Sequence, residues 1–459
     1  MDEKIELMEE VRALIDERNI QKLRVVLQDI NPADIALLFD DIDETDISVL
    51  FRLLPKESAA EVFSYLDSDN QEKLIGYFSD KELREVVSQL FVDDTVDLIE
   101  EMPANVVSRI LKNTDAETRK IINEILKYPK DCAGSIMTTE YLYLKCDMTV
   151  ADAFKRIRQV GVTKETINTC YVTENRKLLG ELSILDLLTN DEDVFIKDIM
   201  DTNVVSVNTL EDKEIVGRMF DKYDALSIPV VDNEDRLVGI VTVDDAIEVI
   251  QEENTEDFTK MAAVVPLEDS YFKTSVFQHA KKRVLWLLIL MISATFTGLL
   301  ITKYENAFAA IPLLISFVPM LMDTGGNCGS QTSTMIIRGF ALGEVKTRDY
   351  LKVVFKEFRI ALIVSAVLAV VNGLRIYIMY AHSADLAKTG MSVITLSVVV
   401  SLSVICTVLI AKFVGCSLPM LAKLCHLDPA IMASPMITTI VDACTIYIYF
   451  NIAIKFFNI

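Results

Sequence analysis

Histidine is nearly absent from this chain, with three in 459 residues (His279, His382 and His426), and there is a single tryptophan. The histidines stand far apart and none opens a His-Glu-x-x-His pattern, which excludes a metalloprotease site of that kind. The eight cysteines, at 132, 146, 170, 328, 406, 416, 425 and 444, form no Cys-x-x-Cys pair. They read as small buried apolar thiols in a reducing compartment. Basic residues are outnumbered, 45 Lys and Arg against 68 Asp and Glu, and no basic patch with interleaved aromatics occurs. Nucleic acid is therefore not an expected partner; cations are. The opening MDEKIELMEEVRALIDERN is charged throughout and does not read as a cleavable signal, so the first part of the chain is expected in the cytosol.

What is present is unevenly spread. Residues 1–283 hold 33 of the basic and 60 of the acidic side chains, a net charge of −27, while residues 284–459 hold 12 and 8, a net +4. An acidic, multidomain soluble portion is thus joined to an apolar one. VLWLLILMISATFTGLLI (284–301) is long and uncharged enough to cross a bilayer. Further spans are expected at 307–337, 358–381, 391–422 and 429–455, five in all. Lys281, Lys282 and Arg283 hold the N-terminal side in the cytosol, and Arg338, Lys346, Arg348, Lys352, Lys356 and Arg359 hold the segment after the second span there too. TKYENAF and HSADLAKTG are poor in basic residues, as outside loops should be, and five crossings place the C-terminus outside.

Two spans are unusual. The second reads IPLLISFVPMLMDTGGNCGSQTSTMIIR, and its Pro312, Pro319 and Asp323-Thr-Gly-Gly-Asn-Cys-Gly-Ser-Gln predict a broken helix whose freed carbonyls face a wet cavity or a cation. The competing reading is a Gly-rich packing seam between helices, which leaves Asp323 and Gln331 unexplained. In the fifth span, Ser434, Thr438, Asp442, Thr445 and Tyr449 fall on one helical stripe. An unpaired carboxylate at mid-membrane costs roughly 2.5–3.5 kcal/mol, which predicts that this stripe faces water. Arg375 and Lys412, the basic residues that could otherwise pair with Asp442, are expected near helix ends, where they snorkel away.

Residues 32–129 repeat about every 24 residues as pairs of short amphipathic helices, the pattern of a small superhelical domain. Residues 131–250 form two units of strand–helix–strand–strand–helix, in which RKLLGELSILD aligns with DRLVGIVTVDD. These resemble tandem cystathionine-β-synthase-type (CBS) domains. In that module a Gly-x-x-Ser/Thr-x-x-Asp corner commonly meets ribose and phosphates; Gly180, Ser183 and Asp186, then Gly239, Thr242 and Asp245, match it. VDDAIEVIQEENTEDF then strings Asp244, Asp245, Glu248, Glu252, Glu253, Glu256 and Asp257 along one helix. Like charges at that spacing repel, and a divalent cation bridging them to another domain reverses the sign. The helix is expected to run on into the membrane.

Together these residues resemble the MgtE family of magnesium channels over essentially the whole chain. The TGGNxGxQ segment (Thr324–Gln331) and the DPA…P…TT…D pattern (Asp428, Pro435, Thr438, Thr439, Asp442) carry the likeness. It implies a multidomain fold: an α-helical superhelical N-domain (1–130), α/β tandem CBS domains (131–198 and 199–257), a connecting plug helix (258–283) and an all-α, five-helix transmembrane domain (284–459). It implies no enzyme, but Mg2+ import through a homodimeric pore in the cell membrane. Asp442, Asp323, Gly326, Asn327, Thr438 and Asp428 are the expected pore residues. The family's cytosolic metal sites fall on Glu61, Asp93, Asp97, Asp212, Glu214, Asp224, Asp245, Glu248, Glu253, Glu256 and Asp257. ATP is an implied ligand of the CBS pair. A cation-coupled secondary transporter of Mg2+, Co2+ or Mn2+ is the alternative, in which Asp442 carries protons. An anion channel with CBS domains is disfavoured by the acidic stripe.

Overall fold

The computed structural model describes residues 10–15, 17–42, 44–266, 271, 274–305, 311–381, 392–432 and 434–457. The chain divides into two compact units, Met1–Gln251 and Glu252–Ile459. The first begins with a helical array: α1 (Ile20–Gln28), α2 (Pro32–Leu38), α3 (Glu44–Leu53), α4 (Lys56–Ser64), α5 (Ser68–Tyr77), α6 (Asp80–Val87), α7 (Val92–Glu101), α8 (Ala104–Asn113) and α9 (Ala116–Ile125). The starts fall in two interleaved series, at 20, 44, 68, 92 and 116 and at 32, 56, 80 and 104, each stepping by 24. Capping sets several of them. Asn19, Asn31, Asp67, Ser79 and Asp115 each accept from first-turn N–H groups that otherwise lack a partner. Helices pack on the next but one, α2 on α4, α4 on α6 and α6 on α8, with α3 on α5 and α7 on α9. Phe39, Phe51, Phe63 and Phe78 knit the array, with the Phe51 and Phe78 ring centroids 5.1 Å apart.

The two CBS-type units follow. The first is β1 (Tyr143–Lys145), α10 (Val150–Val160), β2 (Thr169–Glu174), β3 (Lys177–Ser183) and α11 (Ile184–Thr189), with the short α12 (Ile196–Ile199) after it. The second is β4 (Val207–Asn208), α13 (Lys213–Tyr223), β5 (Ser227–Val231), β6 (Leu237–Thr242) and α14 (Val243–Met261). In each sheet the first two strands are parallel and the last two antiparallel, and the register shifts after Val172 in one and after Val230 in the other. A buried hydrogen bond between the Tyr171 and Ser227 hydroxyls, 2.6 Å long, joins the two units.

Among the described residues, five long helices follow in the second unit: α15 (Val276–Lys303), α16 (Val318–Ala341), α17 (Tyr350–Tyr380), α18 (Val393–Leu424) and α19 (Ser434–Phe457). Four of the five regions, α16 being the exception, are long and apolar enough to cross a membrane. Leu287, Ile292, Phe296 and Leu299 of α15 stand exposed, as lipid-facing side chains do. The expected outside loop at 382–390 lies outside the described residues.

Three expectations are corrected. First, the Gly-rich segment does not break its helix. Asp323 to Gln331 lie inside continuous α16, preceded by a 3-10 turn at Pro312–Phe317, with Pro319 in the first turn where proline is tolerated. The glycines serve close approach: a Cβ on Gly415 of α18 would collide with the Gly329 carbonyl oxygen, and one on Gly325 would come within 2.7 Å of Thr407. The packing-seam reading holds, and freed carbonyls are not available there. Second, residues 258–283 are not one helix. Helix α14 stops at Met261, Ala263 takes a left-handed φ of 54°, and α15 starts at Val276 behind a capping box of Ser275 and Gln278. Third, Lys412 does not snorkel. It is 7% exposed within α18 and pairs with Glu357 of α17 at 3.3 Å and Thr332 of α16 at 3.0 Å.

Candidate functional site

Carboxylates gather in two places, one in each unit. In the first unit, α7 begins with Asp93 and Asp94 and carries Asp97 one turn later. Its N-terminal Val92 N–H donates to Glu140 of the first CBS unit at 3.0 Å, so a carboxylate meets the positive end of the helix. Glu165 N–H in turn donates to the Glu140 carbonyl at 2.9 Å, which brings a further acid to the same place. From the second CBS unit, α14 contributes Asp244, Asp245 and Glu248. Asp245 accepts from the Thr242 hydroxyl and, at 3.4 Å, from the Thr242 N–H just ahead of its own helix.

These charges feel one another strongly. Burial, then Asp245, Glu165 and Asp94, push Asp93 well above the usual carboxylate range. Burial foremost raises Asp94 to about 6, Asp245 to about 7 and Glu165 to about 8, with the neighbouring acids adding to the rise. Asp97 keeps access to solvent, yet the dense surroundings and the charges of Asp245 and Glu248 raise it too. Asp93 is 8% exposed and its Oδ1 has no hydrogen-bond partner; Glu165 Oε2 is likewise buried and unpartnered. Unmatched buried oxygen acceptors suit a hard dication, whose ligands are oxygens. Among the described residues, no three His, Cys, Asp or Glu side chains converge into a closed coordination set. The arrangement is a pair of acidic faces that a cation can join.

The other expected cytosolic ligands are placed differently. Glu61 is exposed on α4. Asp212 caps α13 through the Glu214 N–H at 2.9 Å, Glu214 pairs with Arg218 at 3.7 Å, and Asp224 ends α13 in a left-handed conformation. Glu253 and Asp257 are half-buried further along α14. Sequence reasoning named Asp244 on the acidic helix but left Asp94, Glu140 and Glu165 off the site; the adjacent Asp93-Asp94 pair was a signal, whereas Glu140 and Glu165 stand in no charge pattern.

The two nucleotide corners are shaped by packing. A Cβ on Gly180 would lie 2.7 Å from the Asp201 carbonyl oxygen, and one on Gly239 would lie 2.8 Å from that of Thr138. At both glycines the backbone of a neighbouring segment approaches too closely for any side chain. Ser183 and Asp186 cap α11 reciprocally. The Thr242–Asp245 corner belongs to the acidic faces, which repel phosphate.

In the second unit, Asp442 is half-buried on α19 and lies near enough to Asp323 of α16 for their charges to interact. Asn327 donates to Asp323 at 3.2 Å, one turn along α16. Gly326 packs on the Thr438 methyl, and Ser330 and Ser434 share a hydrogen bond at 2.8 Å. Thr445 and Tyr449 are buried, the latter donating to the Leu314 carbonyl at 2.9 Å. Much of the expected water-facing stripe is therefore a contact face against α16 and its leading turn. Asp428 stands apart from Asp442: it precedes the turn Pro429–Met432 and accepts from Lys260 at 2.6 Å.

Comparison with known proteins accords with this division. Residues 318–452 match the MgtE family described as a divalent cation transporter, 30–131 the MgtE intracellular N domain, and 133–193 and 196–252 the CBS domain. The magnesium transporter MgtE of Bacillus subtilis is 33% identical over 367 residues, 80% of this chain and 78% of the relative. That of Thermus thermophilus is 33% identical over 367 residues, 79% of each. The crystal structure of the cytosolic domain of the Mg2+ channel MgtE in complex with ATP is 35% identical, with a TM-score of 0.51, covering 53% of this chain and 99% of that one.

Proposed function

The chain belongs to the MgtE family of magnesium transporters, and from that premise we propose that it admits Mg2+ through a membrane pore that cytosolic Mg2+ closes. The ion is the substrate. The observation that carries this reading is Asp442 within the field of Asp323 among helices otherwise suited to hydrocarbon. Two neighbouring carboxylates in such surroundings repel each other, and a passing dication offsets both that repulsion and their desolvation. Mg2+ sheds water reluctantly, so recognition runs through its hydration shell, with Thr438 and Asn327 as polar neighbours. A second copy of the chain across a two-fold axis would add a second Asp442, and a homodimer is part of the proposal. Backbone carbonyls of the Gly-rich segment are not, because α16 is continuous.

Closure rests on the acidic faces of α7 and α14. At high cytosolic Mg2+ the ion joins them; at low Mg2+ they repel and the N-domain separates. An ion that binds the closed state better than the open one gives negative feedback. Asp93, Asp97, Asp245 and Glu248 are the proposed ligands, with Asp94, Asp244, Glu140 and Glu165 added by their placement. The N-domain and CBS units lie in the cytosol and the C-terminus outside. ATP is proposed for the first corner, around Ser183 and Asp186, away from the acidic faces, and no step of closure passes through it.

Asp442→Ala should abolish Mg2+ uptake in a magnesium-auxotrophic host while the protein still reaches the membrane. Undiminished growth rescue by that variant would refute the pore assignment.

A further inference from the structure

The function proposed above leaves one flank of α17 unused. Lys352, Lys356 and Arg359 recur at spacings of four and three, so they fall on one stripe of the helix, and all three are exposed. Phe355, Phe358 and Leu362 form a second exposed row beside it, Phe355 with 63% of its surface open. The two rows touch, since the Arg359 guanidinium stands over the Phe355 ring at 6.0 Å. The nearby acids are already engaged. Glu357 turns to the other side of α17 and pairs with Lys412, and Asp349 pairs with Lys352 at 2.9 Å. Among the described residues, neither Lys356 nor Arg359 pairs with an acid. Length fixes the depth of this strip. The 31 residues of α17 rise about 46 Å, against about 30 Å for a hydrocarbon core. Residues 360–374 carry no charge, and 360–380 cover about 31 Å. The turns ahead of Ile360 therefore stand at headgroup level.

We propose that this strip is a docking surface for anionic phospholipid of the cytosolic leaflet, with the headgroup phosphate between Lys356 and Arg359 and an acyl chain along Phe355, Phe358 and Leu362. The choice of leaflet rests on the orientation proposed above; the binding itself holds whichever ion the pore admits. Charge and hydrophobicity point to the same occupant. Free phosphate satisfies the two cations but covers no apolar surface. The chain's own acidic unit matches the charge, yet its acidic faces offer carboxylates and not hydrocarbon to Phe355 and Phe358. A second copy docked through this face by two-fold symmetry would bring basic row against basic row. An anionic lipid supplies a negative head at the depth of Lys356 and a chain at the depth of Leu362.

The test is native mass spectrometry of the full-length protein in detergent, titrated with phosphatidylglycerol or with phosphatidylcholine of the same chains. The wild type should hold phosphatidylglycerol about tenfold or more tighter than phosphatidylcholine. Lys356→Gln with Arg359→Gln should weaken phosphatidylglycerol about 25-fold, near fivefold for each charge, and leave phosphatidylcholine unchanged. Lys356→Arg with Arg359→Lys keeps both charges and should stay within about twofold of the wild type. Equal retention of the two lipids by the wild type would overturn the proposal, as would an unchanged phosphatidylglycerol affinity in the Gln variant. Displacement of the lipid by millimolar inorganic phosphate would assign the strip to a free anion and overturn it too. A Gln variant that keeps its lipid but loses a second copy, or whose N-domain opens to protease, would hand the face to those occupants instead.

Discussion

The two acidic sites use the same chemical group in opposite ways. The cytosolic one spreads carboxylates over α7, the first CBS unit and α14, with buried oxygens left unmatched at Asp93 and Glu165. The membrane one places Asp323 and Asp442 on helices that approach closely through glycine contacts. Repulsion that the first site can relieve by separating is opposed in the second by helices packed closely through their glycines. On the function proposed above, carboxylates on separable faces serve as the sensor and carboxylates on close-packed helices as the passage.

The contrast can be broken most completely at the seam. Gly415→Leu sets a side chain where a Cβ alone meets the Gly329 carbonyl, so the helices must part. Uptake should vanish, and size-exclusion chromatography should show loss of the native species; normal uptake would mean the seam is not rigid. Next in size is the buried pair. Lys412→Met strands Glu357, which should cost about 3–5 kcal/mol of stability in detergent, whereas Lys412→Met with Glu357→Leu should cost much less. Equal losses in the single and double variants would deny the pairing.

The cytosolic side should respond in the other direction. Asp93→Asn removes a buried charge from the crowded faces, so in chelator the N-domain should be better protected from protease than in the wild type. Cation-dependent protection should weaken roughly tenfold in Mg2+ affinity, and unchanged protection would remove Asp93 from the site. The smallest effect is that of pH. Asp94, Asp245 and Glu165 keep their protons to about 6, 7 and 8 when docked, against an ordinary carboxylate near about 4. The docked state thus binds more protons, so without Mg2+ its stability is full below pH ~4 and is lost as pH rises through those values. Protease cleavage in chelator should be faster at pH 9 than at pH 5, with Mg2+ restoring more protection at the higher pH. The reverse trend would contradict the crowding of charge at these faces.

Much of this was legible in the sequence, because the signals are local. The 24-residue step of the helical array, the paired strand–helix units and the apolar spans each follow from spacing within one segment. What was missed depends on partners far away. Gly325, Gly326 and Gly329 each lower helix propensity by about 1 kcal/mol relative to Ala, and that argued for a break. Within a membrane, however, an opened backbone loses hydrogen bonds worth several kcal/mol, and Thr407, Thr438 and Ile437 fill the space over the glycines. Lys412 finds Glu357 55 residues away on another helix, and Glu140 meets α7 48 residues from Val92. No periodicity records such pairs.

Ala263 adds a mechanical consequence. An alanine held at φ 54° is a stop that glycine would make more cheaply, and it ends α14 before the chain enters the membrane. Twist applied to α14 therefore cannot run down a continuous shaft into α15. Among the described residues, a turn of α14 reaches α15 only across the contacts of Val265 and Pro266 with Lys282, so the junction is built as a hinge pin and not as an axle.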